Sequence, residues 1–134
     1  MKNTIFKGAG VALVTPMNAD GSVNFAKLED LVEFQIAGGT DAIIACGTTG
    51  ESATLKEDEH VDVIKCVINK AAGRVPVIAG TGSNDTAFAV ELSQEADRLG
   101  ADGLLTVTPY YNKTSQAGLI AHFTKIADSV NCPI

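Results

Sequence analysis

Short runs of β-branched and small apolar residues alternate along the chain with longer stretches in which apolar residues recur every three or four positions. This pattern marks repeated strand–helix units around a parallel sheet. Gly10-Val-Ala-Leu-Val14 predicts a first strand, and the polar turn Asn18-Ala-Asp-Gly21 leads to a helix with Asn24 as N-cap. Val23 and Leu28 are placed to staple that helix, whose stripe of Leu28, Leu31, Val32 and Ile36 ends at Gly38-Gly39. Ala42 to Cys46 predicts the second strand. Thr54-Leu-Lys-Glu57 has the form of a capping box opening a helix with Val61, Ile64 and Ile68 on one side, stopped at Gly73. Val75 to Ala79 predicts the third strand. Ser83-Asn-Asp precedes a helix carrying Phe88, Leu92, Ala96 and Leu99 to its end at Gly100. Gly103 to Val107 predicts the fourth strand. A last helix from about Ser115 places Leu119, Phe123, Ile126, Ala127 and Val130 on a stripe, and Cys132-Pro-Ile134 begins another extended segment.

Strands recur roughly every 30 residues, a regularity suited to a (β/α)8 TIM barrel, which needs about 250 residues in all. With 134 residues the chain is expected to hold the first four βα units, so residues 1–134 are expected to form the amino-terminal part of an incomplete barrel domain. A flavodoxin-like open sheet or a Rossmann half satisfies the same periodicity. Apolar residues make up 46% and charged residues 19%, which excludes a disordered or linker segment. The formal charge of -6 without any basic cluster argues against nucleic acid or an anionic membrane as partner. No apolar run approaches membrane-spanning length, and a cytoplasmic protein is expected. The three cysteines, Cys46, Cys66 and Cys132, fit neither a disulfide framework nor a zinc pattern, so a reducing compartment is expected and no metal.

Candidate chemistry lies at the carboxyl ends of the strands, where α/β proteins place ligand contacts. Gly47-Thr-Thr-Gly-Glu-Ser52 follows the second strand: two glycines allow a tight turn, and exposed amides and two hydroxyls can hold a carboxylate or phosphate. The competing reading is a plain βα turn whose threonines bond local backbone. Gly80-Thr-Gly-Ser-Asn84 lacks a full phosphate-binding pattern, and Asn84 is read as an N-cap or turn residue. Thr108-Pro-Tyr-Tyr-Asn112 gathers both tyrosines of the protein, rings able to line a pocket, relay protons or pack at an interface. His60 and His122 fall on helices without metal-ligand spacing and read as surface or packing residues. Glu57, Asp58 and Glu59 read as a solvated first turn complementing the helix dipole. A Schiff-base lysine must be desolvated or have a cation beside it, and no Lys falls at a predicted strand end. Lys2 and Lys7 precede the first strand, and Lys113 alone lies in a carboxyl-end loop, among polar neighbours.

Gly47-Thr-Thr-Gly-Glu-Ser-Ala-Thr-Leu55, Val77-Ile-Ala-Gly-Thr-Gly82 and Leu105-Thr-Val-Thr-Pro-Tyr-Tyr-Asn112 together resemble the dihydrodipicolinate synthase family, in the family's order and from the first strand to Ile134. The resemblance implies a lyase of lysine biosynthesis. Pyruvate forms a Schiff base with a barrel lysine, and the enamine attacks L-aspartate 4-semialdehyde to give 4-hydroxy-tetrahydrodipicolinate, with no further cofactor. It implies that Thr49 and nearby amides hold the pyruvate carboxylate. Thr48 would join a proton relay with Tyr111, lent across a tight homo-oligomer interface. The Schiff-base lysine, the second relay tyrosine and the arginine that receives the semialdehyde belong to the family's later strands, so the chain alone is expected to be inactive. The family's lysine effector site is similar to Ser52, Ala53, His60, Asn84 and Tyr110. Glu57 stands where the lysine-sensitive pattern has His, and Phe88 where it has a Glu that pairs with the effector's ammonium. Alternatives are another pyruvate aldolase, such as N-acetylneuraminate lyase, or a non-catalytic truncated half-barrel.

Overall fold

The computed structural model describes residues 4–134, so Lys2 lies outside the described residues. Four strands, β1 (Gly10–Ala12), β2 (Ala42–Ala45), β3 (Val77–Gly80) and β4 (Gly103–Leu105), alternate with four helices. These are α1 (Phe25–Ala37), α2 (Glu57–Ala71), α3 (Thr86–Leu99) and α4 (Gln116–Ala127). All strand pairs are parallel and the spatial order is β1-β2-β3-β4. That order separates the fold classes left open by periodicity. A flavodoxin-like sheet places β1 between other strands and a Rossmann half puts its next strand beside β1, whereas here β4 lies beside β3, and neighbours that follow chain order, each joined by a helix, are the arrangement of a TIM barrel.

Leu28, Val32, Ile43, Ile64 and Val67 are buried together between the sheet and the helices. The stapling pair Val23 and Leu28 is in that cluster, and the Asn24 side chain caps α1 by accepting from the Lys27 amide at 2.9 Å. Three details differ from the sequence pattern. The Thr54–Glu57 capping box does not form, because the Thr54 hydroxyl donates backwards to the Glu51 carbonyl at 2.9 Å. The helix begins at Glu57 instead, and the Lys56 amide donates to Glu59. Second, α2 and α3 are rotated slightly from their expected stripes. His60, Val63, Ile64, Val67 and Ala71 are the buried residues of α2, and Ala89, Leu92, Ser93 and Ala96 those of α3. Small residues at 89, 93 and 96 let α3 approach the sheet, and half-buried Phe88 is left at the flank. Third, α2 reaches its left-handed cap at Ala72, one residue before Gly73.

Carboxylates fix the amino ends of the strands. Asp41, one residue before β2, accepts the Ala9 amide at 2.8 Å, and Asp102, one residue before β4, accepts the Val77 amide at 2.8 Å. At the equivalent place before β3 stands Pro76, whose carbonyl accepts from Ile43 at 3.0 Å. Asp97 accepts the amides of Asn131 and Cys132, bonds that hold its carboxyl below the usual carboxylate range. The segment it fixes lies beside β4, the Leu104 amide donating to the Pro133 carbonyl at 2.9 Å. All three cysteines are free, and burial pushes the Cys46 thiol up to about 12, well away from the reactive thiolate. Among the described residues no helix is long and apolar enough to cross a membrane.

Two substitutions test this backbone geometry by denaturant unfolding. A Cβ on Gly80 would stand 2.1 Å from the Cys46 carbonyl oxygen, so Gly80→Ala must push β2 and β3 apart. We expect a loss of about 3 kcal/mol or more, the upper end of overpacking costs. Ala72 holds φ 49, a left-handed conformation that an L side chain disfavours. Ala72→Gly is expected to raise stability by about 0.5–1 kcal/mol, the relief of that strain less the entropy of glycine.

Candidate active site

The carboxyl ends of β2, β3 and β4 converge because two glycines leave no room for side chains. A Cβ on Gly82 would stand 2.3 Å from the Val107 amide nitrogen, as one on Gly80 would collide with Cys46. Thr81 between them is fully buried, its amide donating to the Leu105 carbonyl and its hydroxyl bonded to Ser93 Oγ at 2.9 Å. These glycines serve strand packing rather than a phosphate cradle. Asp85, not Asn84, caps α3, accepting from the Ala87 amide at 2.8 Å. Asn84 is the turn residue, and its carbonyl accepts from Asn112 Nδ2 at 2.7 Å, joining the turn after β3 to the loop after β4.

From β2 the backbone turns through Cys46 at φ 55, passes extended through Gly47, and forms a single 3-10 turn over Thr48–Gly50. Glu51, again left-handed at φ 55, leads to a second 3-10 turn over Ser52–Thr54 and so to α2. The tight conformation thus falls on Cys46 and Glu51 rather than on Gly47 and Gly50. Two non-glycine residues in this region cost on the order of 1–2 kcal/mol each, so the surrounding contacts must impose the shape. Thr48 and Thr49 end up exposed at the crest of the first turn. Among the described residues neither hydroxyl makes a hydrogen bond to protein, so the reading in which both merely bond local backbone does not hold. Gly50 beside them is buried, and its carbonyl accepts the hydroxyl of Thr15 at 2.7 Å. Thr15 is absent from the sequence-based candidates; the available signal was a threonine placed where the alternation of β1 demands a core residue.

A cavity of about 240 Å³ opens beside this turn, with Thr48, Ser52 and Ala53 on one side and Gly82, Val107 and Tyr110 on the other. The structure therefore brings together Thr48, Ser52, Ala53 and Tyr110. Thr49 sits next to Thr48 on the turn without lining the cavity. Tyr111 is 94% exposed with its backbone at φ 69, presenting its ring outward. His60 does not reach the cavity: it is buried, with Nε2 2.7 Å from the Gly80 carbonyl oxygen, and desolvation lowers its pKa. It is a packing residue that bolts α2 to the end of β3. His122 is likewise buried, with Nδ1 2.9 Å from the Thr86 hydroxyl between α3 and α4. Glu57 lies in a groove between α2 and α3 with Asp58, Asp62, Glu91, Glu95 and Arg98, away from the strand ends. That groove and a similar one between α1 and α2 are larger than the cavity at Thr48. Neither has strand-end backbone in its walls, and in a parallel barrel the chemistry sits at the strand ends.

The chain matches the model of the dihydrodipicolinate synthetase family over residues 5–134. It is 64% identical to 4-hydroxy-tetrahydrodipicolinate synthase of Geobacter metallireducens over 96% of this chain and 44% of that protein. Among solved structures, dihydrodipicolinate synthase from Aquifex aeolicus is 52% identical with a TM-score of 0.94, covering 96% of this chain and 44% of its own. The chloride-inhibited enzyme from Acinetobacter baumannii, complexed with pyruvate, is 53% identical with a TM-score of 0.94, covering 97% of this chain and 44% of its own. The chain thus spans rather less than half the length of the relatives it matches. Four consecutive βα units in barrel order agree with these likenesses: the chain belongs to the dihydrodipicolinate synthetase family.

Proposed function

We propose that this chain is the amino-terminal half of the barrel domain of a cytoplasmic, pyruvate-dependent lyase of lysine biosynthesis. The enzyme would condense pyruvate with L-aspartate 4-semialdehyde to 4-hydroxy-tetrahydrodipicolinate. The observation that carries the reading is the turn at Thr48–Gly50: two adjacent hydroxyls stand exposed at the carboxyl end of a barrel strand with no hydrogen bond to described residues. Hydroxyls and amides held there by a fixed backbone suit a small carboxylate, because their orientation is set before the ligand arrives. Thr49, with neighbouring amides, takes the pyruvate carboxylate. Thr48, lining the same cavity as Tyr110, hands protons along a relay that includes Tyr111.

The nucleophile comes from elsewhere in the polypeptide. Every described lysine lies on a helix or in an exposed loop; Lys70, half-buried on α2, is within 3.4 Å of Glu29 and 3.6 Å of Glu33. None has the desolvated position at a strand end that a Schiff-base amine needs near neutral pH. Lysine, second relay tyrosine and semialdehyde-binding arginine are assigned to the later part of the relatives' length. Tyr111, 94% exposed, is assigned to the active site of a second copy in a homo-oligomer. Ser52, Ala53 and Tyr110, which line one cavity, would contribute to a lysine effector site together with His60 and Asn84. With Phe88 in place of the ammonium's carboxylate partner, that site has lost its strongest attraction for the effector.

Two measurements test this reading. In the full-length polypeptide, Thr48→Val keeps the volume and removes the relay hydroxyl, so turnover should fall roughly 10²- to 10⁴-fold. Thr49→Val should instead act chiefly on the KM for pyruvate, and unchanged constants in both variants would remove the turn from the mechanism. The chain of residues 1–134 by itself, incubated with pyruvate and borohydride, should show no mass increase. A stoichiometric adduct would overturn the assignment of the nucleophile, and peptide mapping at Lys113 would be the first check.

A further inference from the structure

Thr15 occupies a position that the alternation of β1 reserves for a core side chain. Val11 packs against the core, Leu13 is 3% exposed and Thr15 is 6% exposed, while Ala12 and Val14 between them are exposed. Pro16 follows, and the residue before a proline is confined to extended backbone, so Thr15 stays in the row of Val11 and Leu13. A valine would fill this space without a polar group to satisfy. The threonine hydroxyl is instead directed across to β2's loop, donating to the Gly50 carbonyl at 2.7 Å. Gly50 itself lies flush against the strand end: a Cβ on it would stand 3.0 Å from the Leu13 carbonyl oxygen.

This bond is singular. The other hydrogen bonds made by residues 48–54 join Gly50 to Gly47, Glu51 to Thr48, Thr54 to Glu51 and Leu55 to Ser52, all inside the loop. Among the described residues, only Thr15 ties the crest of the loop to another element by a hydrogen bond. Gly50 is the last residue of the turn that begins at Thr48, so its carbonyl fixes where the Thr48 and Thr49 hydroxyls stand relative to the sheet. We infer that Thr15 is a positioning residue for the carboxylate-binding turn: its buried hydroxyl holds the Gly50 carbonyl and thereby sets the place of Thr48 and Thr49. It does not touch substrate. The inference rests on the assignment of that turn to pyruvate.

The test uses the full-length polypeptide with Thr15→Val, Thr15→Ser and, as a control on the assignment, Thr49→Val. Thr15→Val keeps the shape and removes the donor, and the displaced turn should raise the KM for pyruvate roughly 10-fold or more. The KM for the aldehyde substrate should stay within about twofold. Thr15→Ser restores the hydroxyl and should return the pyruvate KM to within about twofold of the parent. Should Thr15→Val fail to fold, Thr15→Cys, with similar volume and only a weak donor, replaces it with the same expected direction. Thr15→Ser as impaired as Thr15→Val would show that the side chain matters for packing alone and would overturn the inference. So would an unchanged pyruvate KM in Thr15→Val while Thr49→Val is impaired. Unchanged constants in both Thr49→Val and Thr15→Val would instead bring down the assignment of the turn to pyruvate.

Discussion

Contact between the carboxyl ends of β2 and β3 is the constraint on which the site depends. Gly80 lies so close to Cys46 that a single methyl would occupy the space of the Cys46 carbonyl oxygen. Because β2 cannot drift from β3 there, the chain leaving β2 must turn immediately, and it does so by placing Cys46 in a left-handed conformation that cysteine would not choose. His60 completes the junction from the helix side, its ring nitrogen 2.7 Å from the Gly80 carbonyl and its own carbonyl 3.7 Å from Cys46 Sγ. Strand end, turn and helix start are therefore one packed unit, and the exposed threonines are its outer surface. Strain of this kind persists only where neighbours over-determine the backbone, and here they do.

The two ends of the sheet are treated differently. At the amino ends, Asp41, Asp102 and Asp97 spend their carboxylates on backbone amides of neighbouring segments. At the carboxyl ends the tight places are filled by glycine, and among the described residues the side-chain hydroxyls at 48 and 49 have no hydrogen-bond partner. A barrel separates stability and chemistry in this way: the end that is fully satisfied internally cannot bind a ligand, and the end that binds one must keep donors unspent. Thr15 and Thr81 mark the boundary, both buried, each with its hydroxyl committed to a protein oxygen just below the exposed layer.

Much of this was legible in the sequence. Strand and helix order, the Asn24 cap and the stapling pair Val23 and Leu28 follow from local pattern, because each depends on residues within a few positions. The choice of barrel over open sheet came from strand spacing and motif order, and the spatial order of strands agrees. What the pattern missed was tertiary. Thr54 has the spacing of a capping box, but its hydroxyl is drawn to Glu51 by a 3-10 turn that no periodicity signals. Phe88 looks like a better core residue than Ala89 or Ser93, yet a helix lying close to the sheet needs the smaller pair. Of the surface and packing roles the sequence left open for His60, the structure shows packing, with the ring engaged by Gly80.

Parallel sheets are ordinarily covered on both faces, and this one is covered on one. Along β1 and its continuation, Val11, Leu13 and Thr15 meet the helices while Ala12 and Val14 face away and are exposed; Leu105 and Val107 after β4 are exposed as well. The residues exposed on that side are apolar, like those that fill a barrel interior in layers. The Leu104 amide donates to the Pro133 carbonyl, so the segment after α4 lies along the outer edge of β4. The Thr48–Gly50 turn thus sits at the rim of this exposed apolar surface. Under the proposed function, a ligand lying across the mouth of a closed barrel would meet its carboxylate donors, Thr49 and neighbouring amides, on this wall and its nucleophile on the opposite one.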